Sequence, residues 1–288
     1  MVYLALAVVC SLAIGVIFKL ARRVGIDRLG LLTVNYFVAM LLALGIGPDV
    51  ALDGRASDIS LLITVGLVNG VLFVVGFGLY AAAIDRVGLA LSAATMRIAV
   101  LIPFVASWVI WNELPTTLQL PGMVVAVGAF GLMALPPADP NRRTVAKHPA
   151  AMLALLFFVA GITDTTLKVY DEHLADFASR STYLFVAFAG AFVSGVCYLI
   201  GSRRRLLSAL SIRTLAGGLA LGLLNYGSVE FFLQALAELP GTLVFPVNHV
   251  AVLVGGTLLG VLIWKEMLSR SNWLGLALAC LALVLLTW

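Results

Sequence analysis

Apolar residues in this chain fall into ten blocks, and most charged residues lie in the short gaps between them. The blocks cover 2–20, 30–47, 60–84, 88–111, 117–136, 150–170, 178–201, 213–238, 242–264 and 271–288. A helix needs about 20 mostly apolar residues to cross the hydrocarbon of a bilayer. The pattern therefore predicts an all-α polytopic membrane protein with ten transmembrane helices. Charges and prolines mark the gaps, as at Arg22-Arg23, Pro48-Asp49, Asp85-Arg86, Glu113-Leu114-Pro115, Asp171-Glu172 and Glu238-Leu239-Pro240. The longest gap, 137–149, carries Pro137, Pro140 and Pro149 and joins the fifth span to the sixth.

Composition narrows the class. Of 288 residues, 62% are hydrophobic and 11% charged, and the mean hydropathy is +1.10. A soluble domain is about 45–50% apolar with roughly 25% charged residues, so this chain cannot cover a water-facing surface. That excludes a soluble enzyme, a nucleic-acid-binding domain and a disordered chain. Cys10, Cys197 and Cys280 lie far apart inside apolar runs, which suggests neither a disulfide nor a metal site. The first block lacks a basic flank and a small-residue cleavage site, so it is expected to be a retained helix, not a signal peptide.

The linker separates two segments that resemble each other, 1–136 and 150–288. Ile110-Trp111-Asn112-Glu113 precedes the fifth span and Ile263-Trp264-Lys265-Glu266 the tenth, and each glutamate is followed nine residues later by glycine, Gly122 or Gly275. Gly66-Leu67-Val68-Asn69 matches Gly222-Leu223-Leu224-Asn225, and Lys19 matches Lys168. These matches occur in the same order at a nearly constant offset. Five spans per copy is an odd number, so the second copy enters the membrane upside down. Two inverted five-helix repeats are a known construction of secondary transporters, with substrate held near the midplane.

The ten-helix, two-repeat plan is similar to the EamA-type permeases of the drug/metabolite transporter superfamily. The residues that carry the resemblance are the glutamate–glycine pairs (Glu113 with Gly122, Glu266 with Gly275) and the late lysine in the first helix of each repeat. The stretches Gly161 to Lys168 and Val244 to His249 resemble an uncharacterised branch of such permeases, and the tryptophan often found early in the first helix is absent. The resemblance covers nearly the whole chain and implies a multi-pass carrier, in the inner membrane if the source is bacterial.

Thirteen basic residues lie in one set of gaps: Arg22, Arg23, Arg28, Arg86, Arg142, Arg143, Lys147, Arg203, Arg204, Arg205, Arg213, Lys265 and Arg270. The opposite set holds Arg55 and Arg180, outweighed by Asp49, Asp53, Asp58, Asp171, Glu172 and Asp176. The positive-inside rule then places both termini away from the cytoplasm, although relatives of this fold are often described with cytoplasmic termini.

Ionisable side chains within spans mark a pathway or an internal pair. The candidates are Arg97, Asp164, Lys168, Glu230 and His249, with amides Asn69, Asn225, Gln234 and Asn248. At about 1.5 Å per residue, Arg97 lies roughly 14 Å and Asp164 roughly 21 Å from the same membrane face. Substrate contacts are expected from Arg97, Asn69, Asn225, Glu230, His249 and Asn248. Coupling is expected from Glu230, Asp164 and Lys168.

Each expectation has a plainer alternative. Asp164 and Lys168, four apart on a helix, either neutralise each other or take part in coupling. Arg97 needs a carboxylate, from Asp164 or Glu230; it either bridges Glu230 permanently or binds an anionic group of the substrate with Glu230 as counter-charge. Glu230 is the expected proton-exchange residue, because low-dielectric surroundings disfavour a bare carboxylate. His249 is either a titrating group or a packing residue. Lys19 is expected to snorkel to the headgroups, and Glu113 and Glu266 to cap helices at the interface. Gly76, Gly78, Pro103 and Pro246 suggest that the third, fourth and ninth spans line the cavity. The Gly66-x-x-x-Gly70 and Gly218-x-x-x-Gly222 spacings suggest close helix packing.

No His-Glu-x-x-His, Gly-x-Ser-x-Gly or phosphate-cradling Gly-Lys motif occurs, so no enzyme is expected. Single charges rather than rings also argue against a channel filter. The expected function is proton-coupled transport of a small metabolite such as an amino acid. Efflux of hydrophobic cations is the alternative, and it needs Glu230 or Asp164 unpaired. A small-molecule substrate and membrane lipid are the expected partners. Neither a cofactor, a metal nor nucleic acid is expected, and the oligomeric state is open.

Overall fold

The computed structural model describes residues 1–51, 56–87, 89–134, 149–200, 209–265 and 267–288. Glu266, Asp53, Arg55, Arg142, Arg143, Lys147, Arg203 to Arg205 and all of the linker except Pro149 lie outside the described residues. The described chain forms eleven helices: α1 (Val2–Val24), α2 (Arg28–Ile46), α3 (Ala56–Val87), α4 (Leu89–Ile98), α5 (Leu101–Val109), α6 (Gln119–Ala134), α7 (Pro149–His173), α8 (Arg180–Ile200), α9 (Ile212–Glu238), α10 (Gly241–Trp264) and α11 (Arg270–Thr287). Nine segments among them are long and apolar enough to cross a membrane, and Gln119–Ala134 is a shorter apolar helix. The protein is an integral, multi-pass membrane protein by length and composition.

The fourth expected span is one membrane segment, Leu91–Val109, made of two helices that break at Ala99-Val100. Pro103 accounts for the break: its ring has no N–H to give the carbonyl four residues back, Ala99, and crowds that carbonyl. The Ala99 oxygen instead accepts from Ile102 N–H at 3.0 Å, a tighter turn. Pro246 leaves α10 whole, because only the helix's first turn lies ahead of it.

The chain divides into two compact units, Met1–Val74 with Thr166–Glu238, and Val75–Thr165 with Leu239–Trp288. Each draws on both sequence segments, and α3 and α7 contribute to both.

In the first unit, α2 packs on α8 and α9, and α9 also packs on α1. Glycines set the approach. A side chain at Gly70 of α3 would meet the backbone of Ala187 and Ala191 in α8, and one at Gly222 of α9 would meet Val38 and the Asn35 carbonyl in α2. Both small-xxx-small spacings read in the sequence are thus helix contacts. Tyr36, Phe73, Phe188 and Tyr226 fill the core, with ring centroids 6.2–6.5 Å apart. At one end, the α2–α3 and α7–α8 connections are clasped together. Val50 and Ala178 form an isolated antiparallel bridge, Ala51 N–H donates to the Phe177 carbonyl at 2.8 Å and Ser179 N–H to the Asp49 carbonyl at 2.9 Å. The Thr182 hydroxyl also meets Asp49.

In the second unit, α6 and α11 pair antiparallel. Gly122, early in α6, abuts Leu285 and Leu286 late in α11, while Gly275, early in α11, abuts Ala129, Leu132 and Met133 late in α6. The two glycines matched in the sequence therefore face each other's helix reciprocally. The described non-glycine residues with positive φ are Asn112 (56°) and Lys265 (54°), the third residues of the two matched Ile-Trp-x-Glu motifs. Lys265 ends α10 in the left-handed conformation, its N–H donating to the Gly260 carbonyl, a standard helix stop.

Two glycines of α3 give opposite expectations. Gly70→Ala pushes a methyl into backbone that cannot yield and should cost about 1–3 kcal/mol. Gly78→Ala meets nothing within 4 Å and should be neutral or slightly stabilising. Thermal melting of the detergent-purified variants measures both.

Candidate functional site

Two groups of polar side chains lie within the helices, one in each unit. In the second unit, α7 supplies Asp164. Its neighbours Thr163 and Thr165 fold their hydroxyls back onto the carbonyls of Val159 and Gly161, at 2.6 and 2.7 Å, a common way for threonine to satisfy itself in a helix. Asp164 turns to α10, where its Oδ2 lies 3.0 Å from His249 Nε2. The carboxylate thereby sets the orientation of the imidazole. His249 is buried. Its Nδ1 and the Oδ1 of the adjacent Asn248 are buried without a hydrogen-bond partner among the described residues. Arg97, half-buried at the end of α4 just before the break, lies within electrostatic range of Asp164 and Tyr80 without forming an ion pair to Asp164.

In the first unit, the Glu230 carboxylate of α9 accepts from Arg180 Nε at 2.8 Å and from Gln234 Nε2 at 2.7 Å. Tyr226 lies one turn earlier, its hydroxyl buried without a hydrogen-bond partner among the described residues. Arg180 is the first residue of α8, where a cation opposes the helix macrodipole, and Glu230 offsets that cost. Lys168 of α7 is 2% exposed and binds two carboxylates, Asp171 at 3.1 Å and Glu172 at 2.6 Å. Asn69 is buried and donates to the Thr166 hydroxyl, tying α3 to α7. Tyr170 and Tyr183 stack at 4.4 Å. Asn225 is half-buried and has no hydrogen-bond partner among the described residues.

Two sequence expectations are corrected. The neutralising partners of Lys168 are Asp171 and Glu172, not Asp164, because two carboxylates one turn on compensate a buried ammonium better than one. Glu230 bridges Arg180, not Arg97. The positive-inside count groups Arg180 with the gap residues although it falls within the seventh apolar block, and so leaves it out as a partner for Glu230. Tyr226 and Tyr170, which complete this group, carried no sequence signal beyond aromatic character. Arg180 carried one, a positive charge at a helix start.

Glu113 caps a helix as expected, but a different one from its neighbours in sequence. Its Oε2 accepts the Thr242 N–H at 3.2 Å, in the first turn of α10. Gly241 lacks the side chain that would collide with Ser107 and crowd Glu113.

No family model matches the chain. An uncharacterized protein of Haemophilus influenzae is 27% identical over 285 residues, covering 95% of this chain and 93% of its own. A protein of known crystal structure is similar over 99% of this chain and 95% of its own, with a TM-score of 0.71 at 13% identity. At that identity the likeness is one of fold.

The Arg180–Glu230 contact should appear as non-additivity. Arg180→Gln, Glu230→Gln and the double variant, melted in detergent, should give a coupling of about 1 kcal/mol, discounted for the 41% exposure of Arg180. Strict additivity would mean the pair contributes nothing.

Proposed function

We propose that this protein is a secondary active carrier that moves a small metabolite, such as an amino acid, across the membrane by alternating access coupled to protons. The observation that carries the reading is the Asp164–His249 contact at 3.0 Å, inside two membrane helices and beside Arg97. Ionisable groups are expensive in hydrocarbon and are kept there for pathways and relays. Histidine is the side chain that ordinarily gains and loses a proton near neutral pH. One ring nitrogen holds the carboxylate, and the other is buried without a partner among the described residues, so it can take a proton while the pair keeps its geometry.

Coupling thus moves from Glu230, whose charge Arg180 compensates, to Asp164 and His249. Arg97 keeps its role as the contact for an anionic group of the substrate, and Asn248 offers an acceptor next to His249.

The reciprocal packing of Gly122 and Gly275, and the matched positive φ at Asn112 and Lys265, support two inverted five-helix repeats. So does the pairing of α3 with α8 alongside that of α9 with α2, since each pair joins a third span to a second one of the other copy. Inverted copies can exchange conformations, which is the basis of alternating access. The resemblance to EamA-type permeases agrees with a carrier, and the basic gaps favour non-cytoplasmic termini in an inner membrane.

Efflux of hydrophobic cations would need an uncompensated carboxylate. Asp164 is held by His249 and Glu230 by Arg180 and Gln234, which favours the metabolite reading.

The test begins with a ligand drawn by thermal shift from amino acids, sugars, nucleosides, organic acids and cationic dyes. In proteoliposomes with an imposed pH gradient, Asp164→Asn and His249→Gln should abolish driven accumulation while sparing exchange of labelled for unlabelled ligand. Driven accumulation that survives both substitutions would overturn the coupling role.

A further inference from the structure

The charges inside the second unit determine the charge of the solute. Three ionisable groups lie within its membrane segments: Asp164 and His249, 3.0 Å apart, and Arg97 at the end of α4, within electrostatic range of Asp164. The remaining titratable or charged groups among its described side chains lie elsewhere. Tyr80 of α3 adjoins Arg97, Arg86 lies in the last turn of α3 and donates to the Met152 sulfur at 3.7 Å, and Glu113 caps α10. Lys265 and Arg270 stand at helix ends, and Cys280 of α11 is exposed.

With His249 neutral, Arg97 and Asp164 cancel and the interior carries no net charge. Arg97 nevertheless forms no ion pair or hydrogen bond with a described residue, because Asp164 is committed to the imidazole. Its guanidinium offers five N–H donors. When a proton joins the Asp164–His249 pair, the interior becomes positive by one charge. A net charge in low dielectric is costly, and an anion on Arg97 removes it. An anion without the proton leaves the interior negative by one charge. Proton and anion therefore stabilise each other, and the linkage is reciprocal. The first unit supplies no such imbalance at Glu230, where Arg180 and the carboxylate cancel in direct contact.

We propose that the solute is a monoanionic carboxylate (an organic acid or an acidic amino acid) bound by Arg97, and that it moves together with a single proton held on the Asp164–His249 pair, making transport electroneutral. The His249 imidazole takes the proton on the entry side and returns it on the exit side, as carboxylate and Arg97 part. This rests on the carrier reading above and specifies the substrate class and stoichiometry of the same site.

The probes are L-lactate, pyruvate and L-glutamate as monoanions, L-alanine and L-serine as net-neutral zwitterions, and tetraphenylphosphonium as a cation. Thermal shift of the purified protein is read on the acid and alkaline sides of neutrality. At least one monoanion should raise the melting temperature, more strongly at acid pH, and the neutral and cationic probes should not. Arg97→Gln should weaken that binding at least about tenfold, the worth of a charge-assisted contact. Arg97→Lys, which keeps the charge, covers the case in which the glutamine variant does not fold and should bind more weakly than wild type. His249→Gln should leave binding but remove its pH dependence.

In proteoliposomes, uptake of the bound anion should follow the pH gradient and ignore a potential imposed with potassium and valinomycin. Shifts from zwitterions or the cation alone, no shift from any probe, pH dependence that persists in His249→Gln, or uptake that follows the potential would each overturn the proposal. Anion binding without any uptake would instead sink the carrier reading on which it rests.

Discussion

A charge inside hydrocarbon must be cancelled by a neighbour, and the interior of this protein is arranged around that requirement. Three solutions appear along α7, α8 and α9. Lys168 is enclosed by two carboxylates, Asp171 and Glu172. Arg180 reaches back to a glutamate shared with Gln234. Asp164 is met by an imidazole, a partner whose own charge depends on pH. The first two are arrangements of fixed charge. The third can change its charge state, and the guanidinium nearest to it is uncommitted. The proposed site therefore falls at Asp164, His249 and Arg97, while the other two groups tie helices together.

The same medium governs the packing. Between helices in lipid there is little hydrophobic drive, so contact depends on close approach and shape. Gly70 and Gly222 bring backbones together in the first unit, and Gly122 and Gly275 do so reciprocally in the second. Glu113 satisfies an orphan N–H in the first turn of α10 from outside that helix.

Much of this was legible in the chain because spans announce themselves by length and apolarity. The membrane helices and the small-residue spacings follow from rules that act over a few residues, whereas the helix that Glu113 caps lies 129 residues away. The break at Ala99-Val100 was partly legible, since Pro103 marks it. Partnership among charges was not. Sequence spacing put Asp164 opposite Lys168, and a depth count offered Arg97 either Asp164 or Glu230, yet both carboxylates have their direct partners on other elements, His249 and Arg180. Depth along a helix is a linear quantity, whereas pairing depends on rotation about the helix axis and on which helices adjoin. Long side chains add to the difficulty, for Arg180 begins at the membrane edge and acts well inside it.

The clasp between the α2–α3 and α7–α8 connections has a mechanical meaning. It ties the end of α2 to the start of α8, and the two helices also pack along their lengths. Backbone pairing at Val50 and Ala178 and side-chain packing along the helices thus hold the same two elements twice. Two joints at different heights resist a change of crossing angle, which a single joint would leave free.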